Sequence, residues 1–133
     1  MNIIKIEGIG PKYRKKLYAA GINTIEGLLK AGAAKKGRKA LAEKSGITET
    51  LILEWVNLAD LMRVKGVGEE YSDLLEEAGV DTVKELRNRN PENLHKAMLA
   101  TNEKKKLVRR PPALSEVQSW VSQAKKLPPV VSY

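Results

Sequence analysis

The sequence contains no cysteine and no phenylalanine. Without cysteine there is no disulfide framework, no thiol nucleophile and no zinc finger or zinc ribbon. A single histidine, His95, gives a Ser-His-Asp triad one candidate base and leaves a multi-histidine metal site short of ligands. It falls in a polar helical stretch and reads as a surface residue. No apolar run approaches the roughly 18 residues of a membrane-spanning helix, and the opening residues 1–10 lack the apolar stretch of a signal peptide. β-Branched runs are short and no segment alternates with a period of two, so a sheet is not expected. The expected class is a soluble, cytoplasmic, all-α protein with no cofactor, no metal and no membrane partner. At 133 residues it is one domain, or two very small ones, able to bury about two-thirds of its unfolded surface without staples.

What is present is positive charge, unevenly spread. The chain has 24 Lys and Arg against 16 Asp and Glu, a net of +8. Residues 1–66 hold 13 basic and 6 acidic side chains, a net of +7, whereas residues 67–133 hold 11 and 10, a net of +1. A basic excess concentrated in one half points to an anionic partner such as nucleic acid.

The two halves are also copies of each other. Residues 8–29 lie over residues 66–87 at an offset of 58. Gly8, Gly10, Tyr13, Leu17, Ala20, Gly21, Thr24 and Leu28 fall on Gly66, Gly68, Tyr71, Leu75, Ala78, Gly79, Thr82 and Leu86. Leu41 and Ala42 fall on Leu99 and Ala100, after which the offset grows to 65. Ile52, Trp55, Val56 and Ala59 then match Val117, Trp120, Val121 and Ala124. The second copy therefore carries about seven extra residues within 103–115. This is an internal tandem duplication, with a first repeat over 1–64, a second over 65–127 and a tail over 128–133.

Helix punctuation repeats with it. Gly10 and Gly68 end tight turns, and Pro11 suits a first helical position. Gly21 and Gly79 sit where a left-handed helix end is wanted. Thr24, Thr82, Asn90 before Pro91, Thr48, and Ser115 with Gln118 are expected to open helices, Thr82 with Glu85 as a capping box. Leu51, Ile52, Trp55, Val56, Leu58, Ala59 and Met62 form one apolar helical face, and Val117, Trp120, Val121, Ala124 and Leu127 its counterpart. The matched Trp55 and Trp120, like Tyr13 and Tyr71, are expected to pack in the core. Eight to ten short helices are expected, and Pro128 and Pro129 bar the last of them from continuing.

The motif with chemical potential is the turn Gly8-Ile9-Gly10 and its copy Gly66-Val67-Gly68. Glycine permits positive φ and close approach of a ligand to the backbone. The unpaired N–H groups of the turn and the helix start converge on one spot, and the helix dipole favours an anion there. A nucleic-acid phosphate is the natural occupant. Ile9, between the glycines, is expected to tuck into the core and fix the turn.

These residues, G-[IV]-G followed by a helix and then AG-[IV]-x-T-[IV]-x-x-L, resemble the helix-hairpin-helix superfamily. The paired unit at the N-terminus of archaeal and eukaryotic recombinases is the nearest likeness. The C-terminal domain of the bacterial RNA polymerase alpha subunit is more distant. Over residues 3–127 the chain resembles a bacterial and archaeal family of tandem helix-hairpin-helix proteins of unknown function. The resemblance implies two tandem repeats, each a SAM-like helical bundle, packed together. It also implies duplex DNA binding without sequence preference, through phosphates across the minor groove. In each paired unit it implies a second hairpin. In copy one that place is Lys44-Ser45-Gly46-Ile47-Thr48, which keeps one of the two glycines. In copy two it is the basic stretch 103–115, which has none, so a basic loop is expected instead.

The two turns differ in charge. Gly10 is followed by Lys12, Arg14, Lys15 and Lys16, whereas Gly68 is followed by Glu69, Glu70 and Asp73. The acidic residues suit the helix dipole and repel phosphate. The expected contact surface is therefore Gly8, Ile9, Gly10, Lys12, Lys15 and Lys16, with Lys44 and Gly46 beside them. The clusters Lys35, Lys36, Arg38, Lys39 and Lys104, Lys105, Lys106, Arg109, Arg110 read as solvated surface. The leading expectation is a non-catalytic module for duplex DNA, with RNA open because a phosphate cradle does not distinguish sugars. The alternative is a protein-interaction or scaffold module. An enzyme is not expected. Glycosylases that carry this hairpin need a catalytic Asp or Lys beside a base pocket. Asp81 is the nearest candidate, Asn23 replaces it in copy one, and the chain is short for a pocket.

Overall fold

Helix-forming segments separated by Gly, Pro and capping residues leave little choice of architecture, and the computed structural model, which describes all 133 residues, is built of short helices joined by turns and loops. A short 3-10 helix (Ile3–Lys5) leads into eight α-helices: α1 Pro11–Ala19, α2 Ile25–Gly32, α3 Lys35–Ser45, α4 Glu49–Leu61, α5 Glu69–Glu77, α6 Val83–Leu86, α7 Pro91–Lys105 and α8 Leu114–Lys126. The one β-type pairing is an isolated antiparallel bridge between Asn2 and Thr24. No helix is long and apolar enough to cross a membrane.

The chain divides into two units, residues 1–60 with 130–133, and residues 61–129. In the first, Ile3, Ile6, Ile9, Leu17, Ile25, Leu28, Leu41, Ile47, Ile52, Trp55 and Val56 are buried. In the second, Leu61, Val64, Val67, Leu74, Leu75, Val80, Val83, Leu86, Leu94, Met98, Val108, Val117, Trp120, Val121 and Ala124 form one core.

The ends of α1 and α5 follow the duplication bond for bond. α1 closes with Ile22 N–H donating to Leu17 O at 2.8 Å and Gly21 N–H to Tyr18 O at 3.0 Å. α5 closes with Val80 to Leu75 at 2.9 Å and Gly79 to Glu76 at 3.0 Å. This crossed pair is a Schellman closure, and it requires the left-handed conformation that Gly21 and Gly79 hold at φ 88° and 98°. Thr24 and Thr82 then cap α2 and α6 by accepting from the N–H of Gly27 and Glu85, and Asn90 caps α7 from Asn93.

The start of α8 departs from expectation. Ser115 lies inside the helix, and the N-cap is Ala113. The alanine side chain has no oxygen to offer. Glu116 instead reaches back, its Oε1 accepting the Ala113 N–H at 3.0 Å, and the helix begins earlier than Ser115 would have started it. In copy one the same place is Thr48, whose hydroxyl accepts from Leu51 N–H at 3.3 Å. A carboxylate arriving from inside the helix has replaced a hydroxyl in front of it.

Candidate phosphate-binding turns

Each turn is built on buried aliphatic residues three apart. In the first, Ile6 N–H donates to Ile3 O at 3.0 Å and Ile9 N–H to Ile6 O at 3.2 Å. In the second, Val64 donates to Leu61 at 3.1 Å and Val67 to Val64 at 3.0 Å. Ile9 and Val67 are buried, as the spacing predicts. Between them Gly8 and Gly66 hold φ 93° and 97°. A Cβ on Gly8 would lie 3.2 Å from Trp55 Nε1, and one on Gly66 3.0 Å from Trp120 Nε1. Glycine is thus required twice over, by conformation and by the indole beneath. The indole is braced by tyrosine, with Tyr13 and Trp55 centroids 5.1 Å apart and those of Tyr71 and Trp120 also 5.1 Å apart. Both tryptophans are core residues.

Gly10 and Gly68 are N-caps in extended conformation, and neither supplies a side-chain cap. The N–H groups at a helix start have no carbonyl within their own helix. In α1 this leaves those of Gly10, Lys12 and Tyr13, since Pro11 has none. Lys12, Lys15 and Lys16 recur at i, i+3 and i+4, which puts them on one face of α1. Lys12 and Lys15 are exposed, and the Lys16 ammonium lies 6.0 Å from the centre of the Tyr13 ring.

The remaining predicted residues lie elsewhere. Gly46, at φ 75°, ends α3 in the left-handed conformation. Lys44 lines a hollow of about 280 Å³ with Ala20, Ile22, Ala31 and Gly37. Ala20 and Ile22 follow the C-terminal end of α1, whereas Gly8 to Lys12 lie at its N-terminal end, and nine helical residues span about 13 Å. Gly8, Ile9, Gly10 and Lys12 are therefore brought together, and Lys44 is not brought to them.

The second turn carries a fastening that the first lacks. The Lys65 N–H donates to Gln123 Oε1 at 2.9 Å, and Gln123 Nε2 donates to Lys65 O at 3.0 Å and to Ser119 Oγ at 3.2 Å. The amide side chain grips both polar groups of the residue preceding Gly66. At the offset of 65, copy one has Leu58 in the place of Gln123, and a leucine makes no such bonds. No feature of residues 60–70 pointed to this partner. The sequence signal is an apolar-to-amide change in the repeat at Leu58 and Gln123, one of two, the other being Leu53 and Gln118.

Two basic clusters prove to be partly structural. Arg38 is 4% exposed, with Nη1 donating to Gly32 O at 2.9 Å and Ala33 O at 3.0 Å. The solvated-surface expectation fails for it, while Lys35, Lys36 and Lys39 around it are exposed. In the stretch 103–115, Lys105 pairs with Glu77. Arg110 grips Glu116 with two bonds of 2.9 and 3.0 Å, and its carbonyl accepts the Tyr71 hydroxyl at 2.8 Å. Arg110 and the Ala113 N–H hold the Glu116 carboxyl below its ordinary range, and partial burial raises the Tyr71 phenol. Asn102 accepts the Val108 N–H at 2.9 Å and donates to its carbonyl at 3.2 Å. His95 Nε2 lies 2.9 Å from Pro112 O, so this histidine is a half-buried anchor of the loop, not a bystander on the surface. Lys104, Lys106 and Arg109 remain exposed. No three His, Asp or Glu side chains gather where they could hold a metal ion.

Comparison with known proteins places this architecture in a family. The chain belongs to the DUF4332 family. That family is described as a domain of unknown function, and the match covers residues 7–127, all of the second copy of the repeat and all but the first six residues of the first. No solved structure matches the chain significantly.

Proposed function

We propose that this member of the DUF4332 family is a non-catalytic nucleic-acid-binding module made of two tandem helix-hairpin-helix repeats. It holds duplex DNA by its phosphates and reads little sequence. The observation that carries the reading is the first turn. A positive-φ glycine, a buried Ile9 and a side-chain-free N-cap leave backbone N–H groups at the start of α1, and Lys12 and Lys15 stand exposed beside them. Backbone N–H groups at a helix start and flanking lysines are the usual complement of a phosphate. The net of +7 in residues 1–66 adds a long-range attraction. Gly8, Ile9, Gly10, Lys12, Lys15 and Lys16 form the contact surface, and Gly8 and Ile9 shape the turn from beneath.

The test is a titration against duplex DNA, single-stranded DNA and structured RNA at several salt concentrations. Duplex binding should be on the order of micromolar at physiological salt and weaken steeply as salt rises. Binding undetectable at low salt, or indifferent to salt, rejects the proposal.

A second reading, a protein-interaction scaffold, draws on the other turn. Glu69 and Glu70 stand exposed at the start of α5, and Gln123 occupies the polar groups of Lys65. A turn so furnished is suited to stability rather than to phosphate. If both turns serve in this way, the chain binds no nucleic acid.

A further inference from the structure

The tail departs from the repeat altogether. After α8, Pro128 and Pro129 keep the backbone extended, and residues 130–133 join the first unit. They are held there as a bound peptide is held. The Ser132 N–H donates to Ala33 O at 2.8 Å, and the Ser132 carbonyl accepts from Arg38 Nη2 at 2.6 Å. The Tyr133 ring lies 6.0 Å from the Arg38 guanidinium, and its hydroxyl is 3.5 Å from Asn57 Oδ1. Beside them a hollow of about 300 Å³ is lined by Lys35, Arg38, Glu49, Thr50, Leu53 and Tyr133.

Arg38 explains why the segment is held at this place. Its guanidinium is almost wholly buried, and burying a charge is costly unless its donors are satisfied. Two of the acceptors, Gly32 O and Ala33 O, lie at the C-terminal end of α2, where the helix dipole favours a cation. The third is the tail. Copy two has no counterpart, because Lys96 stands at the position of Arg38 and is exposed. A lysine there would lack the planar fork that serves several carbonyls at once.

We propose that the cleft at the α2–α3 junction, built on Arg38, is a binding site for an extended peptide, and that segment 130–133 of the same chain is its occupant. Backbone pairing with Ala33 and capture of a carbonyl by Arg38 tolerate many sequences, and the Tyr133 ring over the guanidinium, itself 64% exposed, adds little selection. The tail acts as a latch: any other peptide of this kind must displace it. This inference does not depend on nucleic-acid binding.

The experiment removes the latch and returns it as a separate molecule. The probe is a synthetic peptide of residues 127–133, acetylated and amidated, titrated by calorimetry into a chain truncated after Pro129 and into the full chain. The truncated chain should bind one peptide. The full chain should bind it at least about tenfold more weakly, because a tethered segment competes at an effective concentration on the order of millimolar. Arg38→Lys in the truncated chain should weaken binding about tenfold through loss of a charge-assisted bond. Should truncation unfold the chain, the latch is read in the full chain by the hydrogen-exchange rate of the Ser132 amide, which donates to Ala33 O. Arg38→Lys, which loses a bond to the Ser132 carbonyl, should raise that rate about tenfold or more. A folded truncated chain that ignores the peptide at millimolar concentration overturns the proposal. So does a Ser132 amide exchange rate unchanged by Arg38→Lys. Exchange of the tail between two chains, seen as a concentration-dependent dimer that truncation abolishes, overturns the assignment of the occupant to the same chain.

Discussion

The two turns share a frame and differ in almost everything that faces outward. Both rest a positive-φ glycine on an indole, and both bury the aliphatic residue between their glycines. The first then presents Lys12 and Lys15, whereas the second presents Glu69 and Glu70 and is gripped from α8 by Gln123. The parts kept in both copies carry the fold, and the parts that diverged carry whatever function distinguishes them. Conserving the indole costs the protein freedom at Gly8 and Gly66. Changing the first turn of a helix costs almost nothing in packing, because those positions face solvent.

The shared frame should fail equally in both copies. Trp55→Ala and Trp120→Ala each delete a side chain only 2% exposed, and each should cost about 3–5 kcal/mol. Chemical denaturation of the two variants checks this. A cost below about 1 kcal/mol for either would mean that its indole is not the support of the turn.

A smaller effect separates the glycines within one turn. Gly8→Ala and Gly66→Ala force a Cβ into positive φ and against an indole nitrogen, and should cost about 1–3 kcal/mol. Gly10→Ala and Gly68→Ala should cost far less, because their φ values are −88° and −109° and a Cβ on either meets nothing within 4 Å. Thermal melts of the four variants give the ranking, and the Gly66 variant should suffer at least as much as the Gly8 variant.

Much of this frame is legible in the sequence, for identifiable reasons. A duplication places two glycines, a tyrosine and a tryptophan at matching positions, and matched aromatics in both copies must do the same structural work. Helix ends are legible because Gly21, Gly79, Thr24, Thr82 and Asn90 act on neighbours a few residues away. Contacts between distant segments are not. Gln123 reaches Lys65 across 58 residues, Arg38 reaches Ser132 across 94, and His95 reaches Pro112 across 17. No local pattern announces such pairings. The early start of α8 is hidden for a related reason, since Ala113 caps poorly by itself and the cap comes from Glu116. The placement of Lys44 away from the Gly8–Gly10 turn follows from the path of α1, which spacing does not reveal.

Charge reversal tests the outward difference. Lys12→Glu with Lys15→Glu should weaken duplex binding about tenfold or more and lower the magnitude of the salt slope by about two. Glu69→Lys with Glu70→Lys should leave affinity unchanged or raise it. Adding Gln123→Leu, the residue of copy one, should raise it further by releasing the polar groups of Lys65. Filter binding at one low salt concentration compares them. Equal affinity for the two double mutants would show that the first turn has no special role, and Lys104, Lys106 and Arg109 would be the next contacts to test.

The last and smallest difference lies at the paired helix starts. α8 is capped by a carboxylate and α4 by the Thr48 hydroxyl, so only the first of these caps titrates in acid. Arg110 and the Ala113 N–H lower the Glu116 pKa below its ordinary value near 4.5. A carboxyl whose pKa is depressed by folding stabilises the native state above its unfolded pKa. That contribution is lost as pH falls through the folded value. Glu116→Gln should therefore destabilise the protein modestly at pH 7, by about 0.5 kcal/mol on the scale of helix-start charges and exposed pairs. Below the folded pKa the variant and the parent should converge. Ala113→Thr added to Glu116→Gln supplies the hydroxyl of copy one, and should restore part of the loss at pH 7 with no new dependence on acid. Melting temperatures of the three proteins between pH 7 and pH 3 decide it. A gap between parent and Glu116→Gln that stays constant down to pH 3 would mean that Glu116 acts by packing rather than by charge. Convergence, with the double variant holding its level, would establish that the two copies solved one capping problem by two chemistries, only one of which depends on pH.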